Sequence, residues 1–342
     1  MRKLWSVVMS LSFGALLIHA ADVKAPPPAE QKIPRPPKPG VKTPGVQVSI
    51  TELKPEAVYL VPGTPDWQAI GDAAVYVSNK VKNSVSKLDP KTNKVLAVIA
   101  VGSQPCSGLT IGFGSLWVPN CGDNTVSRVD LNTDKVTATF PSGIADTEGG
   151  IASGAGSIWL LTDKNGTLAR IDPADNKVVA EIVVPPGSFC VAFGEGAAWV
   201  TSTAGNSLTR VDPNTNLVGE TIPVGKAPRF LAIGEGSIWT LNQTEGNVSR
   251  VDPKTNKVLA TIEVGVPGGG GDIAAGEGHI WVTAFGFPIS RIDPATNKVV
   301  QQFKGEGGDA IRAGLGSVFL SNLRAGTLWR LDPKRIEATI AP

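Results

Sequence analysis

Asp66, Glu148, Asp272 and Asp309, with Arg229, Arg312 and Arg324, are the residues of this 342-residue sequence best suited to chemistry. Grouped carboxylates can hold a hard cation that takes oxygen ligands, magnesium or calcium. A guanidinium presents a planar fork of donors that can grip a carboxylate ligand bidentately. Their surroundings single them out. Most lie in or beside short segments that interrupt an otherwise repetitive chain: Pro65-Asp66-Trp67, Pro105-Cys106-Ser107, Asp146-Thr147-Glu148, Gly187-Ser188-Phe189, Pro228-Arg229-Phe230, Gly271-Asp272 and Gly308-Asp309. Trp67 joins the seven charged residues as a candidate ligand contact.

Arg312 stands where the other copies carry Ala69, Thr110, Ala152, Ala192, Ala232 and Ala274. It either holds an acidic ligand or pairs internally with Asp272 or Asp309, and both readings stand. For the carboxylates, a structural salt network is preferred over a metal site, and no cofactor is assured. Asn79, Asn120, Asn242 and Asn322 end equivalent segments and are read as bonding loop backbone. Cys106 and Cys121 flank the Gly112-Phe113-Gly114 turn, so folding about it sets them opposite one another. In an oxidising compartment a disulfide there would contribute ~3 kcal/mol in the chain-entropy model. Cys190 has no partner and is read as a buried small hydrophobe. Gly268-Gly269-Gly270-Gly271 lacks the Lys-Ser/Thr ending of a phosphate loop, and it and Gly305-Glu306-Gly307-Gly308 are read as mobile or tightly turning loops. No nucleophile elbow, zinc spacing or haem-attachment motif appears.

The elements that position these residues follow from repetition. Residues 228–265 contain four apolar runs, 230–233, 237–241, 248–251 and 258–264, rich in β-branched and aromatic residues and bounded by turn signals. The turns are Gly234-Glu235-Gly236, a polar loop over 242–247, and Asp252-Pro253-Lys254-Thr255-Asn256-Lys257. The Asp closing the third run recurs at 89, 130, 172, 212, 252, 293 and 332, with intervals of 41, 42, 40, 40, 41 and 39 residues. Seven four-stranded units of about 40 residues predict an all-β, seven-bladed β-propeller. A solenoid of sheets is the weaker alternative. Residues 54–61 resemble a fourth strand ahead of the first complete copy. They are expected to complete the last blade and shut the ring, with residues 335–340 as a competing or additional outer strand.

Tyr76, Trp117, Trp159, Trp199, Trp239, Trp281 and Phe319 fill one equivalent position, which predicts wedges between blades rather than a stacking platform. Lys87, Arg128, Arg170, Arg210, Arg250, Arg291 and Arg330 precede each turn Asp by two residues. They are read as a partly exposed strand face paired locally with carboxylates, not as a functional basic ring. In a propeller the loops into each first strand share a face with those between second and third strands. That face carries the varied segments, and a rigid scaffold places function on such loops.

The copies KTNKVLAVIAVG (residues 91–102) and VDPKTNKVLATIEVG (251–265) resemble the YVTN-type propeller repeat. The GEGSIWT segments are similar to the streptogramin B (virginiamycin B) lyase group, and the resemblance covers roughly residues 60–342. It implies a magnesium-assisted elimination using histidine and glutamates on the varied face. The sequence departs from that pattern: His19 falls in the leader, and His279 follows Gly276-Glu277-Gly278 on the opposite face, where it is read as an exposed turn residue.

Residues 1–20 have a basic start, an apolar run and small residues at the end, which predicts a signal peptide and a periplasmic or secreted protein. Residues 21–46 form a Pro-rich linker and 47–342 the propeller. Net charge is +2, with basic residues spread through the repeats, which argues against nucleic acid. No later stretch is apolar enough to span a bilayer. The expected function is an exported, monomeric propeller binding a small polar or acidic ligand, or an envelope or extracellular protein, on its irregular face. The alternatives are a metal-assisted lyase or hydrolase using Glu148, Asp272 and Asp309, and a structural envelope protein.

Overall fold

The computed structural model describes residues 38–338; the expected signal peptide and most of the linker lie outside them. Seven sheets are present, each built on four antiparallel strands, in chain order in all but the last. In blade 5 these are Pro228–Gly234, Ser237–Asn242, Asn247–Asp252 and Lys257–Glu263, close to the apolar runs of the sequence. First strands pack on first strands around the ring, and Ile311–Gly314 of blade 7 returns to Pro65–Ile70 of blade 1. The seven-bladed propeller is closed.

Turn chemistry sets the blade length. Asp252 accepts from the Lys254 amide at 2.9 Å and from the Thr255 hydroxyl at 2.8 Å. Asn256 then takes the left-handed conformation at φ +56°, which asparagine tolerates better than most residues. The five tryptophans of the repeated position are fully buried wedges, as expected. Each indole also donates to the carbonyl of the glycine that opens its own hairpin turn, as Trp159 Nε1 does to Gly154 at 3.0 Å. That bond satisfies the one polar atom a buried tryptophan carries.

The arginine row behaves differently from its local-carboxylate reading. Arg170 Nη1 donates to Pro213 O at 2.6 Å and to Asn216 Oδ1 at 3.0 Å, both in the Asp-Pro turn of the next blade. Its guanidinium lies 5.2 Å from the Trp159 ring centroid. Arg128 and Arg250 repeat the arrangement. Two of the seven meet a carboxylate, Lys87 with Asp134 at 2.7 Å and Arg291 with Glu337 at 2.8 Å. Arg128, Arg170 and Arg250 thus stitch their blades to the next through backbone and amide oxygens.

Two strands precede blade 1. β1 (Gln47–Ser49) adds a parallel fifth strand to blade 6, beside Lys298–Lys304. β2 (Ala57–Leu60) pairs antiparallel with Thr327–Leu331 and completes blade 7, as the sequence predicts. Residues 38–46 also lie on the propeller: Gly40 donates to Gly265 O at 2.8 Å, and Val41 to Gln302 Oε1 at 2.8 Å. Gln302 is buried here, whereas Val98, Glu181 and Thr261 hold the same position in other blades.

The end of the chain corrects one expectation. Residues 335–340 do not supply an outer strand through their described part; Pro333–Ala338 is a short helix, α1. Asp332 accepts from the Lys334 amide at 2.8 Å and proline occupies the first helical turn, so the Asp-Pro signal that elsewhere bends the chain here starts a helix. Among the described residues, no helix is long and apolar enough to cross a membrane.

Candidate functional site

The irregular face is built by backbone slips at the start of three first strands. Pairing shifts between Pro65 and Gln68 in blade 1, between Ser188 and Val191 in blade 4, and between Pro228 and Phe230 in blade 5. An extra residue at such a slip re-aims the side chains beside it. Here it turns Trp67, Phe189 and Phe230 toward one another. Trp67 and Phe230 centroids are 6.0 Å apart, and Phe189 meets Phe230 edge-on at 6.2 Å. Blades 1 and 5 are not neighbours, so Trp67 reaches across the axis. Gly149 makes room: a side chain there would meet Cys190 Sγ at 2.6 Å and the Trp67 ring at 3.8 Å.

Charged groups surround this aromatic cluster. Arg312 pairs with Asp272, donates to Ile311 O at 2.6 Å, and lies 5.7 Å from the Trp67 ring centroid. Asp272 is 2% exposed and accepts from the amides of Ile273 at 2.8 Å and Ile311 at 3.2 Å. The internal ion pair, one of the two readings of Arg312, is therefore the one found. Arg229 is tied likewise: its Nη2 is 2.6 Å from Glu148 Oε2, and its guanidinium stacks 4.5 Å from the Phe189 centroid.

Four carboxylates against two paired arginines leave negative charge in excess. Burial, then Asp309, Glu148 and Asp272, push the Asp66 carboxyl up to about 7. Burial and Glu148 push Asp309 up to about 6. Burial raises Glu148 and Asp272 too, with Arg229 and Arg312 respectively opposing it. Among the described residues neither Asp66 nor Asp309 has an ion-pair partner.

A cavity of about 480 Å³ opens beside this cluster across the loops of blades 1 to 5, lined by Asp66, Trp67, Thr147, Glu148, Phe189 and Arg229 among others. Lys80, Asp146 and Lys164 stand exposed at its edge. Below Trp67, a second space of about 330 Å³ runs along the inner strands past Gly149, Cys190 and Arg312. Of the sequence candidates, the cavity brings together Asp66, Trp67, Glu148 and Arg229. Asp272, Asp309 and Arg312 act from behind it. Arg324 is elsewhere: it is exposed, lies 5.7 Å from the Phe285 centroid and borders a separate cavity of about 130 Å³.

Cys106 and Cys121 form the expected disulfide, with Cα atoms 5.8 Å apart, and Cys106 lines the large cavity. Cys190 is free and buried, and burial pushes its thiol up to about 12. Asn120 and Asn242 bond side chains of the following strand, Ser127 at 3.0 Å and Ser249 at 2.9 Å, while Asn79 and Asn322 accept from loop amides. Gly271 turns tightly, at φ +93° with Thr283 O 2.0 Å from where a Cβ would stand. His279 is not the exposed turn residue expected. It is half-buried against Trp281, with Nε2 3.1 Å from Arg291 Nη1, and no imidazole borders the loop-face cavity among the described residues.

Thr147 and Phe189 lie in the varied segments yet carried no assigned role. Lys80, Lys164 and Thr203 follow second strands, where no periodic signal marks them.

Among the described residues, the one set of three donors from His, Cys, Asp or Glu within 4.8 Å of one another is Cys106, Cys121 and Asp146. Its sulfurs are joined in the disulfide and cannot ligate as thiolates. The four loop-face carboxylates do not form a set of three at that spacing.

Solved structures of the same architecture exist. A streptogramin B lyase aligns with a TM-score of 0.66 at 20% identity, over 80% of this chain and 94% of that one. Virginiamycin B lyase from Staphylococcus aureus aligns with a TM-score of 0.69 at 14% identity, over 80% and 98% of the two chains. This chain has the streptogramin B lyase fold. A dihydro-heme d1 dehydrogenase, NirN, solved in complex with DHE, also aligns, with a TM-score of 0.56 at 15% identity over 83% and 70%. No protein-family model and no curated protein matches the sequence. The fold likeness carries no activity with it, because one propeller hosts many chemistries.

Proposed function

We propose that this chain is a ligand-binding propeller that takes a small organic molecule into the loop-face cavity between Asp66, Thr147, Glu148, Phe189 and Arg229. One observation carries the reading. Loops from five consecutive blades, each departing from the repeat, surround about 480 Å³, in which Trp67, Phe189 and the Cys106 disulfide stand among mostly polar and charged side chains. That is the size of an ordinary small-molecule site. The arginines expected to receive an acidic ligand are already bound to Glu148 and Asp272, so an acid would have to displace those carboxylates. The leader-like residues 1–20 and the Cys106–Cys121 disulfide support a periplasmic or extracellular setting, where disulfides persist.

The test is a small-molecule thermal-shift screen on the full chain, repeated on Thr203→Trp. Thr203 lines the cavity, and an indole there would occupy it. Compounds that stabilise the parent protein should lose their effect in the variant. Hits unaffected by the substitution would refute the site.

A further inference from the structure

We propose that the outer strand of blade 1, Lys94–Ala100, pairs antiparallel with the same strand of a second copy, about a two-fold axis at Val98. The pairing lies on the rim and does not depend on the loop-face cavity. Its basis is the backbone of that strand. Lys94–Ala100 ends its sheet, and among the described residues no strand pairs with its outer side. Val101 donates to Asn83 O at 2.9 Å, and antiparallel bonding alternates along the ladder. Ala97 and Ile99 therefore bond inward, while Val98 and Ala100 turn their amides and carbonyls outward. Blade 6 shows what such groups do. Gln302 stands there in the place of Val98, and its amide donates to Val46 O at 2.9 Å, in the segment leading into β1. The same position already holds an added strand in one blade.

The other six rims are blunted, and this one is not. Sheet edges are protected from further pairing by charge, proline, shortness or cover. Blades 3 and 5 carry Glu181 and Glu263 in their outer strands, and those of blades 2 and 4 end in Pro141 and Pro223. Blade 7 has an outer strand of four residues, and β1 covers blade 6. In blade 1 the strand runs Val-Leu-Ala-Val-Ile-Ala after Lys94, and Leu96 and Val98 are each 53% exposed. Symmetry and charge select the occupant. With Val98 opposite Val98, the two copies exchange both bonds of that pair, and Ala100 of each meets Leu96 of the other. Lys94 then faces Gly102, so the cationic ends stay apart. A two-fold contact of this kind closes on itself, whereas pairing with a different blade would propagate into a filament. Few residues of each copy take part, which makes the dimer weak.

Sedimentation velocity on the full chain tests the pairing. The parent protein should pass from monomer to dimer, a doubling of mass, between about 1 and about 100 μM. Val98→Lys sets two like charges face to face and should weaken association at least about tenfold, as should Val98→Glu. An equimolar mixture of those two variants should recover the dimer, because the register brings position 98 opposite itself. Val98→Pro should abolish association yet melt cooperatively, since the amide it removes makes no bond to the neighbouring strand of blade 1. A parent protein still monomeric at about 100 μM would overturn the proposal and leave this edge to a strand of a different protein. A dimer untouched by Val98→Lys would overturn it too, as would folded lysine and glutamate variants that fail to associate when mixed.

Discussion

Arg330 donates from Nε to Asn93 Oδ1 at 3.0 Å, joining residues 237 positions apart in the chain. The bond repeats what Arg170 makes with Asn216 and Arg250 with Asn297, so the junction that shuts the ring uses the chemistry of the junctions within it. Tyr59 of β2 adds a hydroxyl bond to the same Asn93 oxygen at 3.3 Å.

Asn93→Ala should therefore destabilise the protein by about 2 kcal/mol. It removes two hydrogen-bond contacts and places alanine at a left-handed position. Urea unfolding compared with Asn216→Ala measures it. A loss below about 0.5 kcal/mol would mean that the closing junction rests on strand pairing alone.

Asp66→Asn should stabilise the protein at alkaline pH and not at acid pH. Asp66 keeps its proton to about 7 when folded, against 3.8 for an ordinary aspartate. The folded state thus holds more protons between those values, and stability falls as pH rises across that window. The amide removes the penalty. The gain should be roughly 1–3 kcal/mol at about pH 8, discounted for partial exposure, and should vanish near about pH 4. Denaturation curves of both proteins at the two pH values decide it.

Arg312→Met should cost about 3–5 kcal/mol, because it strands the buried Asp272 carboxylate. Adding Asp272→Asn should recover at least half of the loss. A double-mutant cycle by chemical denaturation tests this, and additive losses would show that the pair is not coupled.

Replacing Cys106 and Cys121 together by serine should cost ~3 kcal/mol, the closure entropy of a loop with sequence separation 15. Equilibrium unfolding of the double variant measures it, and reductant should destabilise the parent protein but not the variant.

The repeat was legible because every blade solves the same local problem with the same residues. The Asp-Pro turns, the wedge tryptophans, the disulfide and the completing strand β2 all announce themselves within about 40 residues of sequence. What escaped depends on distance between copies. Arg170 finds Asn216 46 residues onward, and no pattern inside one repeat says that they touch. Trp67 meets Phe230 because two backbone slips aim them across the axis, and a slip leaves no compositional trace. β1 is three residues long, too short for alternation to show, although Gln302 at an otherwise variable outer position was a visible trace of its docking. Residues 335–340 were read as a competing or additional outer strand. Asp332 and Pro333 instead start a helix there, α1.

Because the seventh sheet takes its outermost strand from residues 57–60, a ribosome must deliver nearly the whole polypeptide before that segment has anything to pair with. Until Thr327–Leu331 emerges, Val58 and Tyr59 wait on a bare backbone edge while more than two hundred residues are added behind them. Nascent chains stalled short of Thr327 should consequently be open, protease-sensitive and dependent on chaperones, and should convert to the resistant form only when the final strand is released.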